Sequence, residues 1–251
     1  MAVPRLDGSG ASLTTLVAIF GTTISPYLFF WQAAEEAEDL HAFPRRRDLA
    51  HAPEQGEAAL HRIRVDTLVG MTFSNVVALA IMVTTAAVLH PRGITDIQTS
   101  AQAAEALRPI AGPLSAGVFA LGIIGTGLLA VPVLAGSAAY AVGEAQRWPV
   151  GFGRHLLEAR AFYGTVALAT IVGMIISLGA VDPIRALYWS AVVNGVIAVP
   201  IMAVMMLAAA RTDIMGTFAI RGPLRWLGWV ATACMLLAVA AMLLSAVLPL
   251  R

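Results

Sequence analysis

Long apolar segments constrain this chain more than any other feature of its sequence. Six segments, each of roughly 20 residues or more, lie near 12–34, 66–89, 114–142, 161–180, 186–210 and 226–249. Hydrophobic residues make up 59% of the 251 positions and charged residues only 12%. No water-soluble domain of this size needs so much apolar surface. Because lipid leaves no backbone polar group unpaired, the sequence predicts an all-α membrane protein with six transmembrane helices.

The distribution of basic residues predicts the orientation of these helices. All 16 basic residues are arginine, and a cytoplasmic loop at 35–65 would place eleven of them inside, namely Arg45, Arg46, Arg47, Arg62, Arg64, Arg147, Arg154, Arg160, Arg211, Arg221 and Arg225. Five would lie outside, namely Arg5, Arg92, Arg108, Arg185 and Arg251. This bias follows the positive-inside rule. It places both termini outside the cytoplasm, which is unusual for a multi-pass protein of the bacterial inner membrane and suggests that something is missing upstream.

The first span interrupts its own helix. The stretch 20–32, FGTTISPYLFFWQ, places Gly21, Thr22 and Ser25 just before Pro26. Proline removes one backbone donor and clashes with the carbonyl a turn earlier, which predicts a break at Pro26 and unpaired carbonyls near Gly21 and Thr22. Such carbonyls persist at membrane depth only inside protein or in a polar cavity. Interrupted helices of this kind mark ion or substrate sites in transporters.

Two asparagines lie inside other spans. Asn75 lies in the second span, and we interpret it either as a hydrogen-bonding contact to a neighbouring helix or as a ligand. Asn194 stands beside Gly195 in the fifth span, where a buried amide needs a partner or a function.

The third span is rich in glycine. Five glycines, which predict close helix packing, are Gly117, Gly122, Gly125, Gly127 and Gly136.

Acidic residues gather where the first span ends. Glu35, Glu36, Glu38 and Asp39 oppose the dipole of a helix at its C-terminal end. They indicate either an electronegative mouth for cations or a solvated helix end with a charged linker.

Several classes of function are not indicated. The sequence has no HExxH, no GxSxG, no phosphate-binding lysine motif and no carboxylate pair inside a span, so we expect neither an enzyme nor a bound cofactor. The single cysteine, Cys234, allows no disulfide. The formal net charge of +1 gives no indication of a nucleic-acid partner.

Three stretches together resemble a known family. GTTISPYLFFWQAAEEAED, LGIIGTGLLAVPVLAGSAAYAVGEA and DPIRALYWSAVVNGV are similar to the natural resistance-associated macrophage protein (NRAMP) divalent metal transporters, and to their bacterial NRAMP-like branch in particular. The resemblance implies a leucine-transporter-like fold of two inverted five-helix repeats. It also implies transport of Mn(II), Fe(II) or a related ion with proton coupling.

Aligned on that family, the first span resembles its sixth helix, so the chain carries helices six to eleven. The N-terminal repeat, with its Asp-Pro-Gly-Asn metal motif, is not among these residues. The resemblance therefore implies half of a transporter, completed in the lipid bilayer by that repeat in the same chain or in a separate one.

The resemblance also assigns site residues. The family's sixth helix carries Met-Pro-His, where Ser25, Pro26 and Tyr27 stand here. The resemblance implies that the carbonyl oxygen of Thr22 and the hydroxyl of Ser25 bind the transported cation. It also implies that Asn194 lines the cavity. A hydroxyl in place of a thioether shifts the expected preference toward hard ions such as Mg(II), and loss of the histidine removes a group that titrates near neutral pH. The alternatives are a non-transporting orphan half or membrane interaction subunit, and an amino-acid permease of the same fold.

Overall fold

The computed structural model describes residues 10–43, 45–49, 51–93, 97, 99–105, 107–179 and 183–247. These residues form ten α-helices and no strand: α1 Gly10–Thr23, α2 Pro26–Ala42, α3 Gly56–Leu89, α4 Ser100–Glu105, α5 Arg108–Ala111, α6 Ser115–Ala145, α7 Arg160–Leu178, α8 Pro183–Ala209, α9 Thr212–Met215 and α10 Pro223–Val247. Six segments, one of them α1 together with α2, are long and apolar enough to cross a membrane. The prediction of an all-α protein with six such segments is confirmed.

The helices extend beyond the predicted spans. The helix α3 begins at Gly56, well before the span predicted from residue 66, because hydropathy marks only the apolar part of a helix. Much of the polar stretch 35–65 is therefore helical, as the end of α2 and the start of α3. The predicted ends at residues 180 and 249 lie outside the described residues.

The chain divides into two compact units, each described here by itself. Unit 1 comprises Met1–Phe29 and Leu187–Arg251, and unit 2 comprises Phe30–Ala186. The core of unit 1 joins α1, α8 and α10 through Val17, Ala18, Ala191, Val192, Val239 and Met242. The core of unit 2 consists of Ala34, Ala139, Tyr140, Ala159 and Phe162. That residues 1–251 form a single transmembrane domain stays a prediction.

The most apolar part of α3 and that of α6 are almost entirely exposed. Leu79 in α3 and Leu129 in α6 are typical of these faces. An apolar helix surface of this extent suits a lipid environment, not water.

The glycines of α6 differ from one another in their surroundings. A Cβ atom built on Gly117, Gly122, Gly125 or Gly127 would meet no atom within 4 Å. The prediction of close helix packing is wrong for these four within the described part of the chain. A Cβ on Gly136 would instead lie 2.7 Å from ring atoms of Trp31 and Phe152, so that glycine does allow close packing.

Candidate functional site

The break in the first span lies where the sequence predicted it. The helix α1 ends at Thr23 and α2 begins at Pro26. Just beyond α1, the amide of Ile24 donates to the carbonyl of Phe20, and the next bond runs from the amide of Leu28 to the carbonyl of Ser25. Among the described residues, the carbonyls of Gly21, Thr22 and Thr23 therefore accept no bond from a backbone N–H across the break. The prediction of a helix broken at Pro26 is confirmed.

The hydroxyl of Ser25 partly replaces the lost backbone bonds. Ser25 is only 3% exposed, and its Oγ lies 3.0 Å from the carbonyl oxygen of Gly21 and 3.1 Å from that of Thr22. A hydroxyl carries one proton and two lone pairs, so it can donate fully to only one of these carbonyls. The serine therefore stabilises the break from inside, a role that the sequence analysis missed. The signal was present, since Ser25 follows Gly21 by one helical turn.

Thr22 offers its carbonyl to the site, whereas its side chain does not face it. The Thr22 hydroxyl donates to the carbonyl of Ile19 at 2.8 Å, one turn back within α1. Thr23 does the same at 3.0 Å. Thr22 is exposed, and its carbonyl accepts a bond only from the hydroxyl of Ser25 among the described residues.

The two candidate oxygen ligands are spaced like neighbours on one cation. Mg(II) binds oxygen at about 2.0–2.1 Å and Ca(II) at about 2.3–2.6 Å. Two oxygens at right angles on one ion are therefore about 2.8–3.0 Å apart for Mg(II) and about 3.3–3.7 Å apart for Ca(II), and the spacing here lies between these ranges. The Ser25 Oγ and the Thr22 carbonyl oxygen are 3.1 Å apart. If the Ser25 proton is donated to Gly21, a lone pair of Ser25 and the carbonyl of Thr22 can bind the same ion.

A close helix crossing fixes the position of the break within unit 1. A Cβ on Gly21 would lie 2.0 Å from the carbonyl oxygen of Ala191 and 2.6 Å from the amide nitrogen of Gly195. On the other side, a Cβ on Gly195 would lie 2.7 Å from the carbonyl oxygen of Val17. The backbones of α1 and α8 are therefore in direct contact, as small residues permit between membrane helices.

Asn194 immediately precedes Gly195, so its backbone lies at this crossing. Its side chain is half-buried, and its amide makes no hydrogen bond to any residue that the structure describes. Because an amide inside a span is costly without a partner, we expect the Asn194 amide to have one. It is not bonded to any described residue, so it is available to a ligand.

The two remaining sequence candidates differ from Asn194. Tyr27, in the first turn of α2, is half-buried, and its hydroxyl makes no hydrogen bond within the described part of the chain. Asn75 is exposed and donates to the carbonyl of Met71 in its own helix at 2.7 Å. Asn75 makes no hydrogen bond to a neighbouring helix among the described residues, and both interpretations of it, as a helix contact or as a ligand, stay predictions.

The site offers neutral oxygen ligands. Among the described residues, no group of three or more His, Cys, Asp or Glu side chains is placed to hold a metal ion. The arrangement at the break therefore supplies a backbone carbonyl, a hydroxyl and a nearby amide, all of which are ligands that hard cations accept.

An interrupted apolar helix, carbonyls without backbone partners and a half-buried amide are together features of an all-α integral membrane protein with a break inside one span. The family model described as "Natural resistance-associated macrophage protein-like" matches residues 1–245. The chain therefore belongs to the NRAMP family.

Three relatives share the name "Divalent metal cation transporter MntH". The protein of Deinococcus radiodurans is 26% identical over 231 residues, covering 91% of this chain and 48% of the relative. That of Clostridium acetobutylicum is 27% identical over 218 residues, covering 85% and 45%, and that of Burkholderia ambifaria is 27% identical over 238 residues, covering 92% and 48%. The chain thus spans about half the length of the curated relatives it matches.

Proposed function

We propose that this chain contributes half of a site for transmembrane transport of a divalent metal cation. The carbonyl oxygen of Thr22 and the hydroxyl of Ser25 would bind the ion. The observation that carries the proposal is their 3.1 Å spacing at a helix break. The chain's membership of a family whose relatives are named as divalent metal cation transporters supports it.

The other residues at the break have supporting roles in this proposal. Pro26 keeps the helix open, because it has no N–H for the Thr22 carbonyl. Gly21 allows the contact with α8, and Asn194 lines the cavity beside the ion. None of these groups carries a negative charge, and a divalent ion leaving water needs charge compensation.

We therefore propose that carboxylates come from a partner, the N-terminal repeat that the family resemblance implies. That repeat would belong to the same chain or to a separate one. The two compact units and this repeat would form one transmembrane domain in the bacterial inner membrane. Proton coupling is part of the same proposal, and a pH-sensitive dye inside vesicles would measure it.

The test is cation uptake by proteoliposomes that contain the chain co-expressed with the reading frame preceding it. We expect Ser25→Ala to abolish Mn(II) and Mg(II) uptake. The matched control is Ser137→Ala, because Ser137 is 2% exposed and donates to the Val133 carbonyl at 2.6 Å within an uninterrupted helix. Equal loss in both variants, or unchanged uptake in Ser25→Ala, would contradict the proposal. Retained Mn(II) binding without uptake in the unmodified protein would favour a non-transporting membrane subunit.

The chemistry of the ligands supports a preference for hard cations over softer ones. A hydroxyl and a carbonyl are hard ligands, whereas a thioether favours softer ions. We expect Ser25→Met to raise Mn(II) or Cd(II) uptake relative to Mg(II) uptake. An unchanged ratio of the two initial rates would show that Ser25 does not contact the transported ion.

A further inference from the structure

A carboxylate in unit 2 is held by three donors from other parts of the fold. Glu38, in α2, accepts a hydrogen bond on Oε1 from the hydroxyl of Tyr140 in α6. The same oxygen accepts from the amide of Phe152 at 2.9 Å, and Oε2 accepts from the amide of Gly153 at 3.2 Å. The end of α2 remote from Pro26 is thereby bonded both to α6 and to the segment that precedes α7. We call this arrangement the Glu38 anchor.

The segment around residue 152 is shaped to receive this carboxylate. Gly151 has a φ of +129°, a conformation that side chains other than hydrogen rarely allow. A Cβ at this position would lie 2.6 Å from Oε1 of Glu38. The glycine thus lets two successive amides, those of Phe152 and Gly153, point at one carboxylate.

Aromatic rings surround Tyr140, the side-chain donor of the anchor. The ring of Tyr140 lies 6.1 Å from that of Trp31, 6.1 Å from that of Phe152 and 4.9 Å from that of Phe162. Tyr140 itself is only 1% exposed. The bonds from Tyr140 and Phe152 to Glu38 are part-buried and the bond from Gly153 is exposed. Hydrogen bonds to an ionised carboxylate are stronger than those between neutral groups, so together they hold this end of α2.

The neighbouring acidic residues are bonded in a different way. Glu36 accepts from Arg62 at 2.6 Å, and Asp39 accepts from Arg62 at 3.1 Å and from Arg46. These groups are about one-third exposed, and ion pairs of that kind contribute little. Asp39 is thus bonded to Arg46 of the linker, whereas Glu35 is exposed. Both interpretations of the acidic run stay predictions. Glu38 differs from Glu36 and Asp39 in accepting from a buried tyrosine hydroxyl instead of from arginines.

We propose that Glu38 is a positioning residue whose anchor must open before α2 can move. Glu38 and Pro26 lie in the same helix, α2, about three helical turns apart. A cavity of about 400 Å³ beside the anchor is lined by Ala34, Glu38, Tyr140, Glu144 and Arg154, among others, and gives water a route to the bonds. That the anchor holds α2 does not depend on the proposed function. Only the link between movement of α2 and the cation ligands that precede Pro26 rests on it.

The first arm of the test measures release of α2 without any transported ion. Cys234 is exposed and is replaced by serine, and Ala34, which is 4% exposed within the core of unit 2, is replaced by cysteine. The full chain in lipid nanodiscs is treated with a water-soluble maleimide. We expect Tyr140→Phe and Glu38→Gln each to raise the labelling rate of the cysteine at position 34 by about tenfold, as loss of a hydrogen bond to a carboxylate would produce.

The matched control is Tyr163→Phe. The hydroxyl of Tyr163 donates to the carbonyls of Phe152 and Arg154, each at 3.1 Å, so it holds the same segment without bonding α2. We expect its labelling rate to match that of the unmodified protein. Equal labelling in Tyr140→Phe and Tyr163→Phe, or no increase in Tyr140→Phe, would overturn the proposal. Tyr140→Phe removes only the hydroxyl and keeps the packed ring. The proposal can therefore be tested even if the Glu38→Gln variant fails to fold.

The second arm measures Mn(II) uptake in the proteoliposomes described above. A positioning role predicts a changed maximal rate with an unchanged apparent KM in Tyr140→Phe, because the anchor touches no cation ligand. A changed KM with an unchanged maximal rate would contradict that role. Absence of uptake in the unmodified protein would count against the proposed function, while the labelling arm would still decide whether the anchor holds α2.

Discussion

Two groups of glycines in the membrane-spanning helices differ in what surrounds them. At the crossing of α1 and α8, Gly21 and Gly195 face backbone atoms at distances that no Cβ could occupy. Along the first half of α6, four glycines face no atom within 4 Å. The crossing lies beside the helix break and the candidate oxygen ligands, whereas the row on α6 lies on an exposed apolar face. Glycine content therefore does not indicate which helix faces touch, and the difference can be tested residue by residue.

The largest effect is expected at the crossing. In Gly21→Ala, the new methyl group would lie 2.0 Å from the Ala191 carbonyl oxygen, and a backbone atom cannot rotate away. We expect a loss of about 3 kcal/mol or more in the free energy of unfolding. Thermal unfolding in detergent, followed by tryptophan fluorescence, would measure it. A stability within about 0.5 kcal/mol of the unmodified protein would show that α1 and α8 do not touch here.

A smaller effect is expected at Gly136. The methyl group of Gly136→Ala would meet rings of Trp31 and Phe152 at 2.7 Å. Rings can shift more than backbone can, so we expect a loss of about 1–3 kcal/mol. The same melting experiment applies, and near-ultraviolet circular dichroism should report the rearranged rings. An unchanged aromatic spectrum would contradict the packing described for unit 2.

A still smaller effect is expected at Gly228 in α10. The nearest atom to its added methyl group is the sulfur of Met206 at 2.3 Å, at the end of a flexible side chain. Methionine adapts to irregular gaps, so we expect Gly228→Ala to cost less than about 1 kcal/mol. A cost as large as that of Gly21→Ala would show that α8 and α10 cannot adjust.

The smallest effect is expected on the exposed face of α6. In Gly125→Ala the methyl group meets no described atom, and alanine favours a helix over glycine by up to about 1 kcal/mol. The melting temperature should therefore stay the same or rise slightly. If Gly125→Ala instead lowers it in the co-expressed complex but not in the chain alone, the partner covers this face.

The sequence was sufficient for features that depend on local chemistry. The apolar segments predicted six membrane-crossing helices, and Pro26 predicted the break, because each depends only on residues within one continuous segment of the chain. The contact between Gly21 and Gly195 could not be predicted, because it depends on how α1 and α8 cross. The partners of Glu38 were missed for the same reason. The bond from Asn75 to the Met71 carbonyl was also missed, because the sequence does not distinguish a bond within a helix from one across helices.

The Glu38 anchor also has an evolutionary consequence. Any side chain at Gly151 would occupy the space of the Glu38 carboxylate, and without that carboxylate the amides of Phe152 and Gly153 lose their acceptor. Each of these two positions therefore restricts which mutations the other can tolerate, although they are far apart in the chain. Homologues that replace Gly151 should have already lost the glutamate, so the order of substitutions in their lineages would record the history of the anchor.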